Sequence, residues 1–458
     1  MRNFLVLLIL TASCGAQQID YRVDYRSSVP NGEPTADVLA ITQLDAIDRG
    51  LKYNLGIISG DLDIRLSRAQ RLQALSDLLP NLAVRPSVSE QQLNLAALGF
   101  ASFPGVPQIV GPFAVVDARA YLSTPLLDIK KWRKYRAGAE DVKIAELNYQ
   151  DARDEVVLVV TEIYLRAITT VARIESARAQ VATAEALYQQ AVDRKNAGST
   201  PAIDVLRAQV QRNTEQQRLI AYESDLEKQK LALQRAIGLP PGQKFRLADQ
   251  MPYDPPPPGL TVESLLDLAY HQRPDYLAKQ AEIRAAELRK QSASAGRLPT
   301  VSLDANYGVN GPSADQVHGT FGVAVTVNIP IYQGGRVQAD VAEADAQLQK
   351  RKAELAALRA RIDADVRSAL LDVRTATMQV EVAKENIELA RKQLEQSRDR
   401  FAAGVTNNLE VVQSQQVVAA AEESYIANLL AFNGAKISVA RARGDAGTAV
   451  IEYLKGKR

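Results

Sequence analysis

The chain has one cysteine, one tryptophan, three methionines and two histidines in 458 residues. The cysteine, Cys14, lies in an N-terminal segment of export-signal type, so the exported part has no disulfide and no thiol chemistry. His271 and His318 sit far apart in unlike contexts, which argues against a histidine metal cluster. Outside the N-terminus no run stays apolar for the ~18 residues that a membrane-spanning helix needs. A net charge of +2 gives no basic surface for nucleic acid. Aromatic residues make up 5%, low for a globular enzyme, and alanine-rich helical stretches take their place. There is no nucleophile elbow, no metal-ligand spacing and no Gly-rich phosphate loop, so no catalytic residue, cofactor or metal site is predicted. Gly334-Gly335 follows a proline at a strand-to-helix corner, where glycine serves geometry.

What is present begins with the signal. Arg2 precedes a short apolar run from Phe4 to Leu10, and Ser13-Cys14-Gly15-Ala16 follows. Two processing routes fit: cleavage after Ala16, or lipid attachment to Cys14 within a loose lipobox, Thr11-Ala12-Ser13-Cys14. The expected organisation is a signal peptide over 1–16, an extended lead-in over 17–36 and a first repeat over 37–250. A proline-rich linker over 251–261, a second repeat over 262–444 and a tail over 445–458 complete it.

The repeat shows as two long helical runs, from Pro125 to Gly198 and from Pro330 to Gly404; the two glycines lie 206 positions apart. A helix of about 70 residues is on the order of 105 Å long, several times the width of an ordinary domain. Val366, Val373, Val380, Ile387, Leu394 and Phe401 recur every seven residues. In the first run Val142, Tyr149, Val156 and Ile163 do the same, then Ile174, Val181 and Tyr188. Such stripes also occur in ordinary two-stranded coiled coils. Here shorter helices flank each run: one from near Asp37, one from Leu55 to before Pro80, one to Ile237, and in the second half 274–296 and 406–443. Stacked end to end, the short ones match the long ones in length.

Between the helices the period changes to two. Strands are predicted at about 82–95 and 113–124, the second ended by Pro125, with a Gly/Pro-rich loop over 96–112. A second pair is predicted at about 300–310 and 320–329. One face alternates as Val301, Leu303, Ala305, Tyr307 and Val309, the other as small or polar residues. Segments of about 10 residues cross a bilayer at a tilt of roughly 45°; a soluble hairpin is the alternative. Four strands cannot close a barrel around water, and lipid tolerates no open edge. Membrane strands would therefore have to be pooled between chains, and three chains supply twelve. Trp132, Tyr135 and Tyr332 lie just past the strand ends, where an aromatic interface belt is expected, with Phe100, Phe103 and Phe113 at the other rim.

From about residue 37 to 443 the chain resembles the TolC-like outer-membrane efflux proteins. The resemblance rests on Arg273-Pro274-Asp275, Ala197-Gly198 through Asp204-Val205-Leu206, Ile237-Gly238-Leu239-Pro240, Tyr332-Gln333-Gly334-Gly335 and Phe401-Ala402-Ala403-Gly404, in that arrangement and spacing. It implies an α+β membrane protein: a homotrimeric twelve-stranded transmembrane β-barrel, four strands per chain, continued by a long periplasmic α-helical barrel, with internal duplication. It implies a place in the outer membrane in contact with its lipid. The partners implied are a periplasmic adaptor protein and an inner-membrane transporter, and the role that of a passive export duct.

In the same family the helix turns at Gly198 and Gly404 lie at the periplasmic end, where an adaptor docks. Acidic rings narrow the entrance. The matching positions are Glu410, Gln413 and Asp204; Gln413 departs from the family's aspartate, so one acidic ring is expected from Glu410. Carboxylate rings in a constriction favour cations. An adaptor would instead carry one helical hairpin flanked by β-domains, and an enzyme would need a site that the chain lacks.

Overall fold

The computed structural model describes residues 25–97, 99, 105, 107–198, 201–254, 261–406 and 408–447. Cys14, the signal segment, Phe100 and Phe103 lie outside the described residues.

The first half begins with a strand, β1 (Leu39–Ile41), and not with the helix expected near Asp37. β1 pairs in parallel with β4 (Phe245–Leu247), so the lead-in is tied to the far end of the same half. α1 (Gln43–Tyr53) starts at Thr42, whose side chain accepts from the Asp45 amide while the Asp45 carboxylate answers the Thr42 N–H. α2 (Leu55–Ser76), β2 (Asn81–Asn94), β3 (Ile109–Leu127), α3 (Ile129–Asn196) and α4 (Ala202–Ile237) follow. The second half runs α5 (Val262–Gln272), α6 (Pro274–Ser294), β5 (Thr300–Gly311), β6 (His318–Asn328), α7 (Arg336–Ala402) and α8 (Asn408–Arg443). The order helix, helix, strand, strand, long helix, helix therefore occurs twice.

The strands form one antiparallel sheet in the order β2-β3-β5-β6. β3 is longer than its sequence pattern implied. It starts inside the Gly/Pro-rich stretch, and Pro125 does not end it: pairing with β5 continues past a register shift between Pro125 and Leu127. A proline removes one ladder donor without ending a strand where the ladder is already irregular.

α3 has 68 residues and α7 has 67; beside each run two shorter helices, α2 with α4 and α6 with α8, of 22 and 36 and of 21 and 36 residues. The side-by-side order is α2/α4, α3, α6/α8, α7. Val366, Val373, Val380, Ile387 and Phe401 are buried, and between them so are Ala369, Ala376, Ala383 and Ala390. The seam therefore alternates a large and a small residue, which lets α7 and α8 approach closely. Leu394 is only half-buried. In α3 the buried line below Ile174 shifts to Ala177, Ala184 and Ala191, while Val181 and Tyr188 are half-buried. Two cores flank the long helices: β1, α1, α3 and α4 bury Ile47, Val156, Tyr164 and Leu233, and α5, α7 and α8 bury Leu265, Ile362, Val366 and Phe432.

The two halves are joined across the middle of α3. Arg441 of α8 meets Asp151 at 2.8 Å and Glu155 at 2.9 Å. Burial works against the Arg441 charge, and the two carboxylates more than offset it, raising its pKa. Nearby, Asp154 is only 9% exposed and accepts from the Gly447 N–H at 2.9 Å. Burial raises its pKa from 3.8 to about 6, against the Gly447 bond and Arg441 and helped by Asp151 and Asp445. Between those pH values the folded chain keeps a proton that the unfolded chain has lost. The group's contribution is thus full below about pH 4 and falls away as pH rises to 6, by roughly 3 kcal/mol. Asp154→Asn keeps the acceptor and removes this slope. Thermal melts of detergent-solubilised protein should show the variant more stable than wild type at pH 7.5 and level with it near pH 4; parallel curves would contradict this.

Candidate functional site

The sheet has two unlike faces, and the register assigns every side chain. Leu82, Val84 and Val88 of β2 stand opposite Leu122, Ala120 and Val116 of β3. These continue into Leu303, Ala305 and Tyr307 of β5 and Val325, Val323 and Phe321 of β6. Leu303 lies directly opposite Val325, so both belong to one apolar face, on which Val325 is exposed and Leu303 half-buried. The other face carries Arg85, Asp117, Arg119, Asp304 and Asn306. Arg119 donates to Asp117 through Nε at 2.8 Å and through its terminal amine, and reaches Asn306 Oδ1 at 3.4 Å. Ser123 Oγ donates to Asp304 at 2.7 Å. An apolar band on one side and a polar wall on the other is the pattern of a sheet between lipid and water.

Where the sheet meets the helices, Trp132 is 45% exposed and Tyr332 is 88% exposed. The Trp132 ring lies 5.2 Å from the guanidinium carbons of both Arg133 and Arg136. Tyr135 is half-buried and turned to α2, its hydroxyl accepting from Arg71 at 3.0 Å. Phe113 lies opposite Gln91, toward the loop end of the sheet.

At the other end of the molecule the helices reverse at Gly198 and Gly404, with φ of 71° and 72°. A side chain added at either would meet nothing within 4 Å, so left-handed backbone, not crowding, selects glycine there. Arg194 of α3 lies 4.1 Å over the Phe401 ring of α7, joining the two hairpins near their turns. Glu410 sits in the first turn of α8 and Gln413 is exposed one turn further on. Thr406 Oγ1 donates to Glu410, and Arg400 Nε stands 3.6 Å from it. Asp204 lies in the first turn of α4, 3.4 Å from Arg207. Asp204 and Glu410 each have a basic neighbour on their own hairpin, Arg207 and Arg400.

Higher up, a cluster that the sequence did not single out holds α8 to its neighbours. Glu423 accepts from Arg173 at 2.5 and 3.1 Å, and Glu422 from Ser176 at 2.5 Å and Arg391 at 3.1 Å. The paired acids Glu422-Glu423 in an otherwise alanine-rich stretch were the visible signal. Beside them is a cavity of about 390 Å³ lined by Gln180, Gln211, Thr214, Glu215 and Arg218. Burial raises the Glu215 pKa, with Arg218 and Gln211 opposing. A larger cleft of about 1120 Å³ lies between α3, α7 and α8 and is lined by both signs of charge, including Glu162, Arg166, Arg361 and Asp372. Among the described residues no cluster suits a metal ion and no helix is long and apolar enough to cross a membrane.

The family model for Outer membrane efflux protein matches residues 47–239 and 265–445. The chain belongs to the outer membrane efflux protein family. Its relatives include Alkaline protease secretion protein AprF of Pseudomonas aeruginosa, 23% identical over 251 residues, covering 51% of each chain. Outer membrane protein TolC of Escherichia coli is 24% identical over 246 residues, covering 50% of this chain and 49% of TolC. The matched stretch thus spans about half the length of these two relatives. The fold of this family member is similar to that of the Campylobacter jejuni CmeC outer membrane channel, with a TM-score of 0.78 at 17% identity over 88% of this chain and 86% of that one. The family is one of outer-membrane channels, not enzymes.

Proposed function

We propose that the chain is the outer-membrane duct of a tripartite efflux or type I secretion system. Three copies close a twelve-stranded barrel in the membrane, and their helices form one tube into the periplasm. The tube is a passive conduit for substrates that an inner-membrane transporter delivers through a periplasmic adaptor. The observation that supports this most is that the protomer is unfinished on the same two sides throughout. β2 and β6 each keep an unpaired edge, which lipid does not tolerate. On the outermost helices, α7 exposes Leu371, Met378, Val382 and Leu389, and α4 exposes Val210, Ile220 and Leu231. Exposed apolar stripes of this kind mark contact surfaces, and a second copy covers strand edge and helix stripe together. The internal repetition fits a duplicated ancestral half. Native mass measurement and crosslinking in detergent should return a trimer; a stable water-soluble monomer would sink the proposal.

The mouth is assigned to Glu410, Gln413 and Asp204. Three Glu410 carboxylates in a narrow opening bind cations, tempered by Arg400. In planar bilayers Glu410→Gln should weaken block by a trivalent cation added on the helical side. Gln413→Asp and Arg400→Gln should each strengthen it. Wild-type block in all three variants would remove the mouth from these residues.

The turns at Gly198 and Gly404 are assigned to adaptor docking. Gly198→Asn with Gly404→Asn tolerates the left-handed backbone and serves as control; Gly198→Trp with Gly404→Trp should abolish export while the trimer persists. Full export by the tryptophan pair would contradict docking there.

A further inference from the structure

We propose that the polar wall of the barrel carries an anion-binding ring built on Arg85, with Tyr121 and Arg119 beside it. This rests on the trimeric duct proposed above and concerns the end of it remote from the acidic mouth.

Arg85 of β2 and Arg119 of β3 are direct cross-strand partners. Like charges placed opposite one another destabilise a sheet, so the pair needs something to offset it. The two guanidinium carbons lie 5.3 and 5.4 Å from the centroid of the Tyr121 ring, on the same face. Their situations then diverge. Arg119 is neutralised by Asp117 and reaches Asn306. It lies flat on the wall, because its neighbour on β5 is Gly308: a Cβ there would stand 2.8 Å from Arg119 Cγ. Arg85 is exposed, and among the described residues it has no carboxylate partner.

Closing the barrel does not supply one. β2 is an edge strand, and the edge it meets in a second copy is β6, whose sequence from His318 to Asn328 contains no acidic residue. The remaining charged or titratable groups on this wall are Asp304 and His318. Asp304 lies four residues from Gly308 along β5, about 13 Å away at 3.3 Å per residue, toward the helices. His318 is opposite Asn310, one level further toward the loops. Threefold repetition therefore sets three unpaired guanidinium forks at one level of the lumen. Each backs onto an aromatic ring and a second arginine, a geometry suited to the oxygens of carboxylate, phosphate or sulfonate groups. Compounds carrying several such groups are the class that would dwell there.

The test is side-specific block of full-length protein in a planar bilayer, with inorganic tripolyphosphate added on the side that carries the strand loops. Wild type should be blocked, more strongly at low salt. Arg85→Gln should weaken block by on the order of tenfold, Arg85→Lys should keep most of it, and Asp304→Asn should deepen it. Equal block in wild type and Arg85→Gln overturns the ring. Where Arg85→Gln gives no channels, unchanged block in Asp304→Asn together with full loss in Arg85→Lys overturns it. Wild-type protein that gives no conductance at all overturns the duct, and the ring with it.

Discussion

Arginine at Leu303 or at Val325 should stop the protein from assembling in the outer membrane. The two residues are cross-strand partners in the apolar band, on the inner strand β5 and the edge strand β6. An arginine near the bilayer midplane costs about 2–4 kcal/mol on the lipid face of a barrel. The proposed trimer incurs that cost three times, and the one carboxylate on this face among the described strand residues, Glu90, lies toward the loop end of β2. The contrast that makes the test specific is Thr326→Arg, next to Val325 on the polar face and opposite Ser302. It should assemble. Heat-modifiable trimer bands and yield from purified outer membranes give the readout. Normal trimer yield from both Leu303→Arg and Val325→Arg would show that this face does not meet lipid.

A second large effect is expected at Arg441. Replacing it by alanine leaves Asp151, Glu155 and the nearby Asp275 facing one another without their shared cation. Asp275 retains Arg273, through bonds of 2.8 and 3.1 Å. Among the described residues Asp151 and Glu155 have no such reserve, because Arg441 is the base that each contacts. Removing one partner of a fully buried ion pair costs about 3–5 kcal/mol, and this half-buried cluster at the edge of the large cleft should lose less. The Asp151 contact is an ion pair without hydrogen-bond alignment, which lowers the expectation further. Arg441→Ala should therefore lower the thermal midpoint of the trimer. The double variant Asp151→Asn with Glu155→Gln should recover much of the loss, since it removes the stranded charges. An Arg441→Ala protein as stable as wild type would mean that this cluster adds nothing to the other joints between the halves, such as Arg173–Glu423.

The long elements were legible in the sequence because each repeats one rule many times. A seven-residue stripe over 67 or 68 residues, or an alternation over eleven or more, outweighs local irregularities. The short strand Leu39–Ile41 was not legible. Three residues carry no period, and its partner lies more than 200 residues away, at Phe245–Leu247. Pro125 misled for a related reason: the rule that proline ends a strand is local, whereas the pairing with β5 is not. At the proposed mouth, matching positions placed Glu410 and Asp204 in first helical turns beyond the reversals. They could not show that Arg400 and Arg207 stand beside them, because those contacts depend on how each hairpin folds back. The polar wall is the clearest case. Phe113, Val115, Asp117, Arg119 and Tyr121 could be read as one face of a strand, but that Arg85 stands opposite Arg119 is a fact of register, fixed only when two strands are aligned.

The left-handed glycines at the upper ends of α4 and α8 carry a consequence for length. Gly238 and Gly444 have φ of 64° and 90°; a Cβ on Gly238 would stand 2.9 Å from Tyr53 Cβ and one on Gly444 2.7 Å from the Arg273 backbone nitrogen, so α4 is pinned beside the end of α1 and α8 beside the start of α6. From these two pins α4 and α8 run the same 36 residues to their reversals. In the proposed trimer the depth of the opening is therefore set twice in each chain and six times in all, by independent stretches of sequence that must agree. One heptad inserted into both hairpins at matched positions lengthens the conduit by about 10.5 Å and keeps its rim level. The same heptad inserted into one hairpin leaves alternate segments of the rim standing proud by that distance. Evolution toward a longer or shorter periplasmic reach is thus confined to paired changes, one in each half of the chain.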